Sequence, residues 1–275
     1  MKKFFKALGI SLIYFLIYLA IQLIVSFVVA FAVVLWNMMQ NDMSMENLES
    51  KVLEQTTLIL VIANLLSIIA FVIIVLVRKK SISDELGIKK IKPKKIIPII
   101  LLGISLCIFI SYSFSFIPFP ESWTSSYAEN VGVLSEGNFV VSLIATIILA
   151  PIAEEIVFRG LIYRNLKKGM PILVAGFISS LIFGISHTGI IWMIYAFLIG
   201  IFFVWIYEKF NSILGSIIVH MVFNLLGTFI DEFNWIPEQV GLFILGMSVL
   251  VLAGSILWIV KISKKEKYRI TVIEC

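Results

Sequence analysis

Long apolar runs alternate with short polar stretches along all 275 residues of the chain. A helix that crosses a bilayer needs about 20 predominantly apolar residues, and eight runs reach or approach that length. They cover residues 8–36, 57–77, 96–117, 139–163, 172–186, 190–207, 213–230 and 240–260. This pattern predicts an all-α, polytopic membrane helix bundle with about eight transmembrane helices. The first run is much longer than the apolar region of a signal peptide, so we expect it to remain as an anchor.

The composition agrees with this pattern. Hydrophobic residues make up 60% of the chain and charged residues 14%, whereas a soluble domain has roughly 45–50% and 25%. Almost every apolar run is long enough to enter a bilayer, which leaves no space for a water-soluble catalytic domain. Nucleic-acid enzymes and P-loop ATPases are therefore excluded as primary interpretations, and no nucleic-acid partner is expected. The 2 cysteines are too few for a disulfide scaffold.

Charges are distributed unevenly between the loops. If the N-terminus is cytoplasmic, all of the 22 basic residues except Lys51 and Arg159 fall in cytoplasmic stretches. The outer loops then carry the acids Asp42, Glu46, Glu49, Glu54, Glu121, Glu129, Glu136, Asp231, Glu232 and Glu238. Because cytoplasmic loops of membrane proteins are enriched in lysine and arginine, this asymmetry predicts an even number of crossings with both termini in the cytoplasm.

The organisation along the chain suggests three segments. Residues 1–138 contain the first three predicted spans, residues 139–230 form a candidate catalytic core with four spans, and residues 231–275 contain the last span and a basic tail. The composition predicts a multi-pass protein of the plasma membrane. The short chain, rich in lysine and isoleucine, suggests a bacterial source.

Ionisable residues inside the predicted spans are concentrated in the core. Such groups are costly in a bilayer and usually face the interior of a bundle, where they mark functional sites. The polar residues concerned are Glu154, Glu155, Arg159, His187, His220 and Asn224, and they include both histidines of the chain. Structural interpretations compete with a functional one, because Glu155 with Arg159 can be a purely structural ion pair and Asn224 a simple interhelical hydrogen bond.

Helical spacing groups some of these residues. Glu155 and Arg159 are four residues apart and share a helix face, as do His220 and Asn224, whereas Glu154 points about 100° away from Glu155. Pro151 has no N–H to donate, so it should loosen the helix one turn before the carboxylates and leave a carbonyl group that needs another partner.

The depth of these groups in the bilayer is a further test. Counted from the polar span ends, Glu154 and His220 both lie about 15 Å inside the bilayer. Nominal depth places His187 near the outer surface. The turn that contains it has no charged residue, and we expect a short tilted hairpin whose tip stays inside the protein.

Three motifs in order resemble those of one family. Glu-Glu-x-x-x-Arg at Glu154, Phe-x-x-x-His at Phe183 and His-x-x-x-Asn at His220 are similar to the motifs of the CPBP family. This family comprises CAAX prenyl endopeptidases and bacteriocin-processing proteins and is also called the Abi family. The resemblance covers about residues 139–230, and each motif lies on a separate predicted span.

The resemblance implies an intramembrane endopeptidase with eight helices and a cavity open toward the cytoplasm. In such an enzyme Glu154 would be the general base that activates a water molecule, and His187 would orient this water or ligate a metal that holds it. His220 and Asn224 would donate to the tetrahedral oxyanion, and Arg159 would hold Glu155 in place.

Whether a metal takes part is left open by the sequence. Glu154, His187 and His220 could form a three-ligand site for zinc or another divalent metal, in which case Glu155 would be left as the base. The residues do not follow a His-Glu-x-x-His pattern, so a metal-free glutamate mechanism is equally consistent with the sequence.

The sequence therefore predicts an intramembrane endopeptidase that cleaves a membrane-associated protein or a secreted peptide. The family resemblance points to bacteriocin self-immunity or peptide maturation as its role. Two other classes of function compete with this one: a proton-coupled transporter that uses Glu154 and the histidines as a relay, and a non-catalytic membrane regulator or immunity scaffold. The oligomeric state is not indicated by the sequence.

Overall fold

The computed structural model describes residues 1–40, 44–135, 138–230 and 238–273, and these residues are almost entirely helical. The helices are α1 (Lys2–Met39), α2 (Met45–Glu54), α3 (Thr56–Val77), α4 (Ile82–Leu86), α5 (Ile96–Ser115), α6 (Glu121–Ser135), α7 (Phe139–Leu166), α8 (Ile172–Ile185), α9 (Ile190–Phe210), α10 (Ile213–Ile230) and α11 (Glu238–Ile273). A single 3₁₀ turn, Pro93–Lys95, precedes α5. The all-α class predicted from the apolar runs is confirmed.

Seven of the described helices are long and apolar enough to cross a membrane: α1, α3, α5, α7, α9, α10 and α11. The eighth predicted span is the 14-residue helix α8. At 1.5 Å per residue α8 is about 21 Å long, which is shorter than the hydrocarbon core of a bilayer. Pro171 directly precedes α8, where proline is compatible with a helix start. Gly189 lies in the turn between α8 and α9 and has a φ of +84°, a conformation that glycine adopts easily.

One hydrophobic core joins the three segments that the sequence suggested. It includes Tyr18 of α1, Leu102 of α5, Phe158 of α7, Phe203 of α9 and Ile259 of α11. Many other apolar side chains of α1 and α11 are exposed, which is the pattern of helices that face lipid. The chain is a multi-pass membrane protein, as the composition predicts.

Helix α7 departs from regular α-helical geometry at two places. Residues Ile144–Leu149 and Ile156–Tyr163 adopt π-helical turns on either side of the stretch Ala150–Glu155. Pro151 follows the first of these π-helical turns, and the predicted loosening of the helix is found in that turn. π-Helical turns are rare and often occur at functional sites, and here they flank both glutamates.

Four acids of the predicted outer loops, Asp42, Glu136, Asp231 and Glu232, lie outside the described residues.

Candidate active site

Glu155 and Arg159 of α7 form an ion pair that is fully buried. The Arg159 Nη1 atom donates to Glu155 Oε1 at 2.8 Å, and neither side chain is exposed. Arg159 Nη2 donates to the carbonyl oxygen of Gly200 on α9 at 3.2 Å. The guanidinium carbon also lies 4.4 Å from the ring centre of Phe183, a cation–π distance. The predicted pairing of Glu155 with Arg159 is therefore present, and it ties α7 to α9.

His220 of α10 lies between the two glutamates. Its Nδ1 is 3.2 Å from Glu155 Oε1, and its Nε2 is 3.6 Å from Glu154 Oε2. An ionised carboxylate can only accept a hydrogen bond, so Nδ1 carries the hydrogen toward Glu155. Nε2 faces the carboxyl group of Glu154. The ring also stacks on Phe203 at 4.6 Å between centres, which fixes its plane.

Glu154 differs from Glu155 in access. The Glu154 side chain is 15% exposed, whereas that of Glu155 is completely buried. Glu155 is held by both Arg159 and His220. Glu154 therefore has the carboxylate that a water molecule or a substrate can reach, and Glu155 has the one that holds its neighbours in place.

His187 lies in the turn between α8 and α9. Its Nδ1 is 2.9 Å from the carbonyl oxygen of Phe183, and this carbonyl can only accept, so the hydrogen is on Nδ1 and the lone pair on Nε2. The Phe183 ring is in edge contact with both imidazoles, at 4.8 Å from His187 and 5.8 Å from His220. His187 thus joins the group through Phe183, whose burial identifies it as a packing residue.

The turn itself is held by helix α6. Thr188 Oγ1 donates to Asn130 Oδ1 at 3.0 Å, and the turn ends at Gly189, beside the Asn130 side chain. The tip of the short hairpin therefore contacts α6, but Thr188 is exposed and His187 and Gly189 are only partly buried. The expectation that the tip stays inside the protein is met only in part.

Asn224 has a different partner from the one that the resemblance implies. Its Nδ2 atom donates to the carbonyl oxygen of Thr146 on α7 at 2.9 Å. This bond links α10 to the π-helical turn before Pro151. The sequence predicted a free carbonyl group near Pro151 and an interhelical hydrogen bond of Asn224. In the structure Asn224 donates this hydrogen bond to that carbonyl group, the one of Thr146.

The arrangement does not fit the suggested metal triad. Among the residues that the structure describes, no three histidine, cysteine, aspartate or glutamate side chains converge closely enough to hold a metal ion. Metal dependence stays a prediction.

Four of the six predicted residues, Glu154, Glu155, Arg159 and His220, form one directly connected group. His187 is adjacent to it through Phe183, and Asn224 is attached to its supporting helix. Sequence reasoning missed the contributions of Asn130, Thr188, Gly200 and Phe203. A small residue or a lone amide carries no chemical signal of its own, so motif spacing could not have found them.

The chain is similar to proteins of known families over this core. Residues 136–226 match the family model described as type II CAAX prenyl endopeptidase Rce1-like. This match confirms the resemblance to the CPBP family. It includes all six predicted site residues and the helices α7 to α10 that carry or flank them, up to residue 226.

Two curated bacterial proteins are also similar over part of their length. The UPF0177 protein YxdF of Lactococcus lactis is 38% identical over 81 residues, which are 29% of this chain and 44% of that protein. The "Putative membrane peptidase YdiL" of Bacillus subtilis is 34% identical over 82 residues, which are 30% of this chain and 34% of that protein. The matches thus span less than half the length of these relatives.

A longer but weaker similarity exists to the UPF0177 protein YbdJ of Lactococcus lactis, with 23% identity over 170 residues, 60% of this chain and 74% of that protein. No solved structure is significantly similar to this one. The comparisons support a CAAX-type intramembrane protease family for the core.

Proposed function

We propose that the protein is an intramembrane endopeptidase that hydrolyses a peptide bond with water activated by Glu154. The observation that carries this proposal is the unequal environment of the two adjacent carboxylates. Glu155 is sealed by Arg159 and His220, while Glu154 is partly exposed and faces Nε2 of His220. One carboxylate is thus available for chemistry and the other keeps the imidazole in position.

The proposed reaction has two steps. Glu154 takes a proton from a water molecule as the water oxygen bonds to the carbonyl carbon of the peptide, which gives a tetrahedral oxyanion. Glu154 then passes this proton to the amide nitrogen, the C–N bond breaks, and a carboxylic acid and an amine leave. General acid–base catalysis of this kind contributes about 10²–10⁴-fold to a rate.

The two histidines act on either side of this proton transfer. The Nε2 atom of His187 carries a lone pair, because Nδ1–H is used by the Phe183 carbonyl, and it can accept a hydrogen bond from the attacking water. The Nε2 atom of His220 faces Glu154, where it can accept a hydrogen bond from the Glu154 carboxylic acid while that acid holds the proton.

The proposed substrate is a peptide or protein tail at the membrane. Glu154 lies within a helix that spans the bilayer, so the scissile bond must reach the site from the membrane or its surface. The Bacillus relative is named "Putative membrane peptidase YdiL", which is consistent with this substrate class. A role in bacteriocin self-immunity or peptide maturation stays a prediction.

The decisive experiment combines a trap with a cleavage assay. Glu154→Gln keeps the shape of the side chain and removes the base, so the purified variant should retain substrate from bacterial membranes for identification by mass spectrometry. Wild-type protein should cleave the captured peptide, whereas Glu154→Gln should lose about 10²-fold or more of the rate.

Glu208→Gln is the matched control. Glu208 lies at the end of α9, where it pairs with Lys167 at 2.5 Å, and its substitution should leave the cleavage rate close to that of wild type. Undiminished cleavage by the Glu154→Gln protein would contradict the proposal. A cellular function that survives Glu154→Gln would favour the non-catalytic scaffold instead.

Metal content provides a separate test of mechanism. The purified wild-type protein should be analysed for zinc and other divalent metals, with and without a chelator. Activity that persists after chelation would support the glutamate mechanism described here, and activity that is lost and then restored by zinc would support the alternative.

A further inference from the structure

The π-helical turn before Pro151 leaves one carbonyl group without its helical donor. The backbone N–H of Ala150 donates to the carbonyl oxygen of Ala145, five residues earlier. The next donor in this register would be the N–H of residue 151, and its acceptor would be the Thr146 carbonyl. Proline has no N–H, so this bond cannot form within α7.

A side chain from another helix provides the missing donor. Asn224 Nδ2 donates to the Thr146 carbonyl oxygen at 2.9 Å. An unsatisfied carbonyl is costly at membrane depth, because no bulk water is present to replace the lost partner. The asparagine therefore stands where the amide of residue 151 would otherwise be.

The position of this bond explains what it does for the site. Asn224 is four residues from His220 on α10, and Pro151 is four residues from Glu155 on α7, so the bond and the His220–Glu155 contact join the same two helices. Two cross-links between the same helices fix both their separation and their rotation. The second cross-link keeps Nε2 of His220 opposite Glu154.

We infer that Asn224 is a positioning residue, which replaces the N–H that Pro151 lacks and so sets α10 against the glutamate-bearing part of α7. It acts through the backbone of Thr146, to which one of the two hydrogens of its Nδ2 group is directed. This inference deepens the proposed function, but its central test measures stability and does not depend on proteolysis.

A double-mutant cycle tests the inference. Pro151→Ala supplies a backbone N–H, and Thr146 gains a helical donor whether α7 keeps the π register (residue 151) or returns to the α register (residue 150). Asn224→Ala should lower the Tm of the detergent-solubilised full chain by about 2–4 °C, the shift expected for one hydrogen bond between helices. In the Pro151→Ala background it should lower the Tm by less than half as much.

Asn64→Ala is the matched control. Asn64 is also an asparagine in a spanning helix, and it is buried, but its Nδ2 donates within its own helix, to the Leu60 carbonyl at 2.9 Å. Its effect on Tm should be the same in the wild-type and Pro151→Ala backgrounds. Equal costs of Asn224→Ala in the two backgrounds would overturn the inference.

Hydrogen exchange gives a local measurement that does not require Pro151→Ala to fold. In Asn224→Ala, amide exchange over residues 144–156 should be at least several-fold faster than in wild type, while Asn64→Ala should leave this segment unchanged. Unchanged exchange over residues 144–156 in Asn224→Ala would overturn the inference.

Cleavage rates provide a readout at the site. Asn224→Ala should lower kcat by a several-fold larger factor in the wild-type background than in the Pro151→Ala background, because only the wild-type helix needs Asn224 as the donor to Thr146. Equal factors in the two backgrounds would overturn the inference. If no variant and no wild-type protein cleaves any peptide, the proposed function fails, while the stability cycle still decides the role of Asn224.

Discussion

At the scale of single residues, burial separates two kinds of ion pair. Glu155 and Arg159 are fully buried, and their charges are compensated by each other, by the Gly200 carbonyl, by His220 and by the Phe183 ring. Lys167 and Glu208 are partly exposed at the end of the bundle. Removing one partner of a buried pair leaves a charge that cannot be solvated, whereas an exposed partner is compensated by water.

Glu155→Gln should therefore destabilise the protein by about 3–5 kcal/mol, because it leaves the Arg159 charge buried without its counter-ion. The matched variant Glu208→Gln should cost no more than about 1 kcal/mol. Unfolding of both variants in the same detergent, followed by denaturant or temperature, measures the difference. Equal stability of the two variants would contradict the structural role given to Glu155.

At the scale of elements, helix α6 connects two parts of the site. The hydroxyl of Ser142 near the start of α7 donates to the Leu134 carbonyl of α6, and Asn130 of α6 accepts from Thr188 in the turn that contains His187. The ring of Tyr127 of α6 also meets that of Tyr195 on α9, at 6.2 Å between centres. Helix α6 thus holds the α8–α9 turn against the end of α7 that lies away from the basic loops.

Loss of the Asn130–Thr188 bond should let the His187 ring move. The chain has 2 histidines, so ¹⁵N-histidine labelling gives the nitrogen signals of two imidazole rings. The variants His187→Gln and His220→Gln assign these signals to the two residues. In Thr188→Val and Asn130→Ala the His187 signal should shift or broaden while that of His220 stays in place. Cleavage should fall by roughly tenfold, because small displacements of reacting groups reduce rates strongly.

Thr124→Val is the control for that experiment. Thr124 Oγ1 bonds within α6, to the Glu121 carbonyl at 2.9 Å, so its loss should leave both histidine signals unchanged. A His187 signal that is identical in wild type, Thr188→Val and Asn130→Ala would show that α6 does not position this residue.

At the scale of the whole molecule, contacts gather the basic loops at one end of the bundle. Arg164 in the last turn of α7 donates to the Asp84 carbonyl of α4 at 2.6 Å, and Lys167 pairs with Glu208 of α9. The Thr188 contact with α6 lies at the other end of α8 and α9. Helix α8 therefore begins, and helix α9 ends, at the end of the bundle that carries the basic loops, and the turn between them lies at the opposite end. This arrangement is consistent with both termini on the same side.

The orientation of the molecule can be tested by labelling. In a Cys107→Ser/Cys275→Ser background, Glu129→Cys on α6 should react with a membrane-impermeant maleimide in intact cells. Lys90→Cys in the basic loop should react only after the membrane is permeabilised, because basic loops stay in the cytoplasm. Both positions are exposed. The reverse labelling pattern would place the termini outside.

Part of the fold and part of the site could be predicted from the sequence. The apolar runs predicted the helix that begins at Ile190 and the helix Ile213–Ile230, because length and hydropathy are local properties of the chain. The four-residue spacing of Glu155 and Arg159 predicted their pairing for the same reason. The run 172–186 likewise predicted α8 to within one residue, because Pro171 precedes it and the polar residues Ser186, His187 and Thr188 follow it.

The sequence by itself determined that this chain crosses a membrane many times and places two glutamates, two histidines, an arginine and an asparagine within its spans, because those are properties of composition and local order. Only the tertiary structure decided that Glu154 is accessible while Glu155 is sealed, and that Asn224 serves the Thr146 carbonyl. Both outcomes depend on contacts between helices that are far apart in the chain. Such contacts follow from how the helices pack, and no local pattern encodes them.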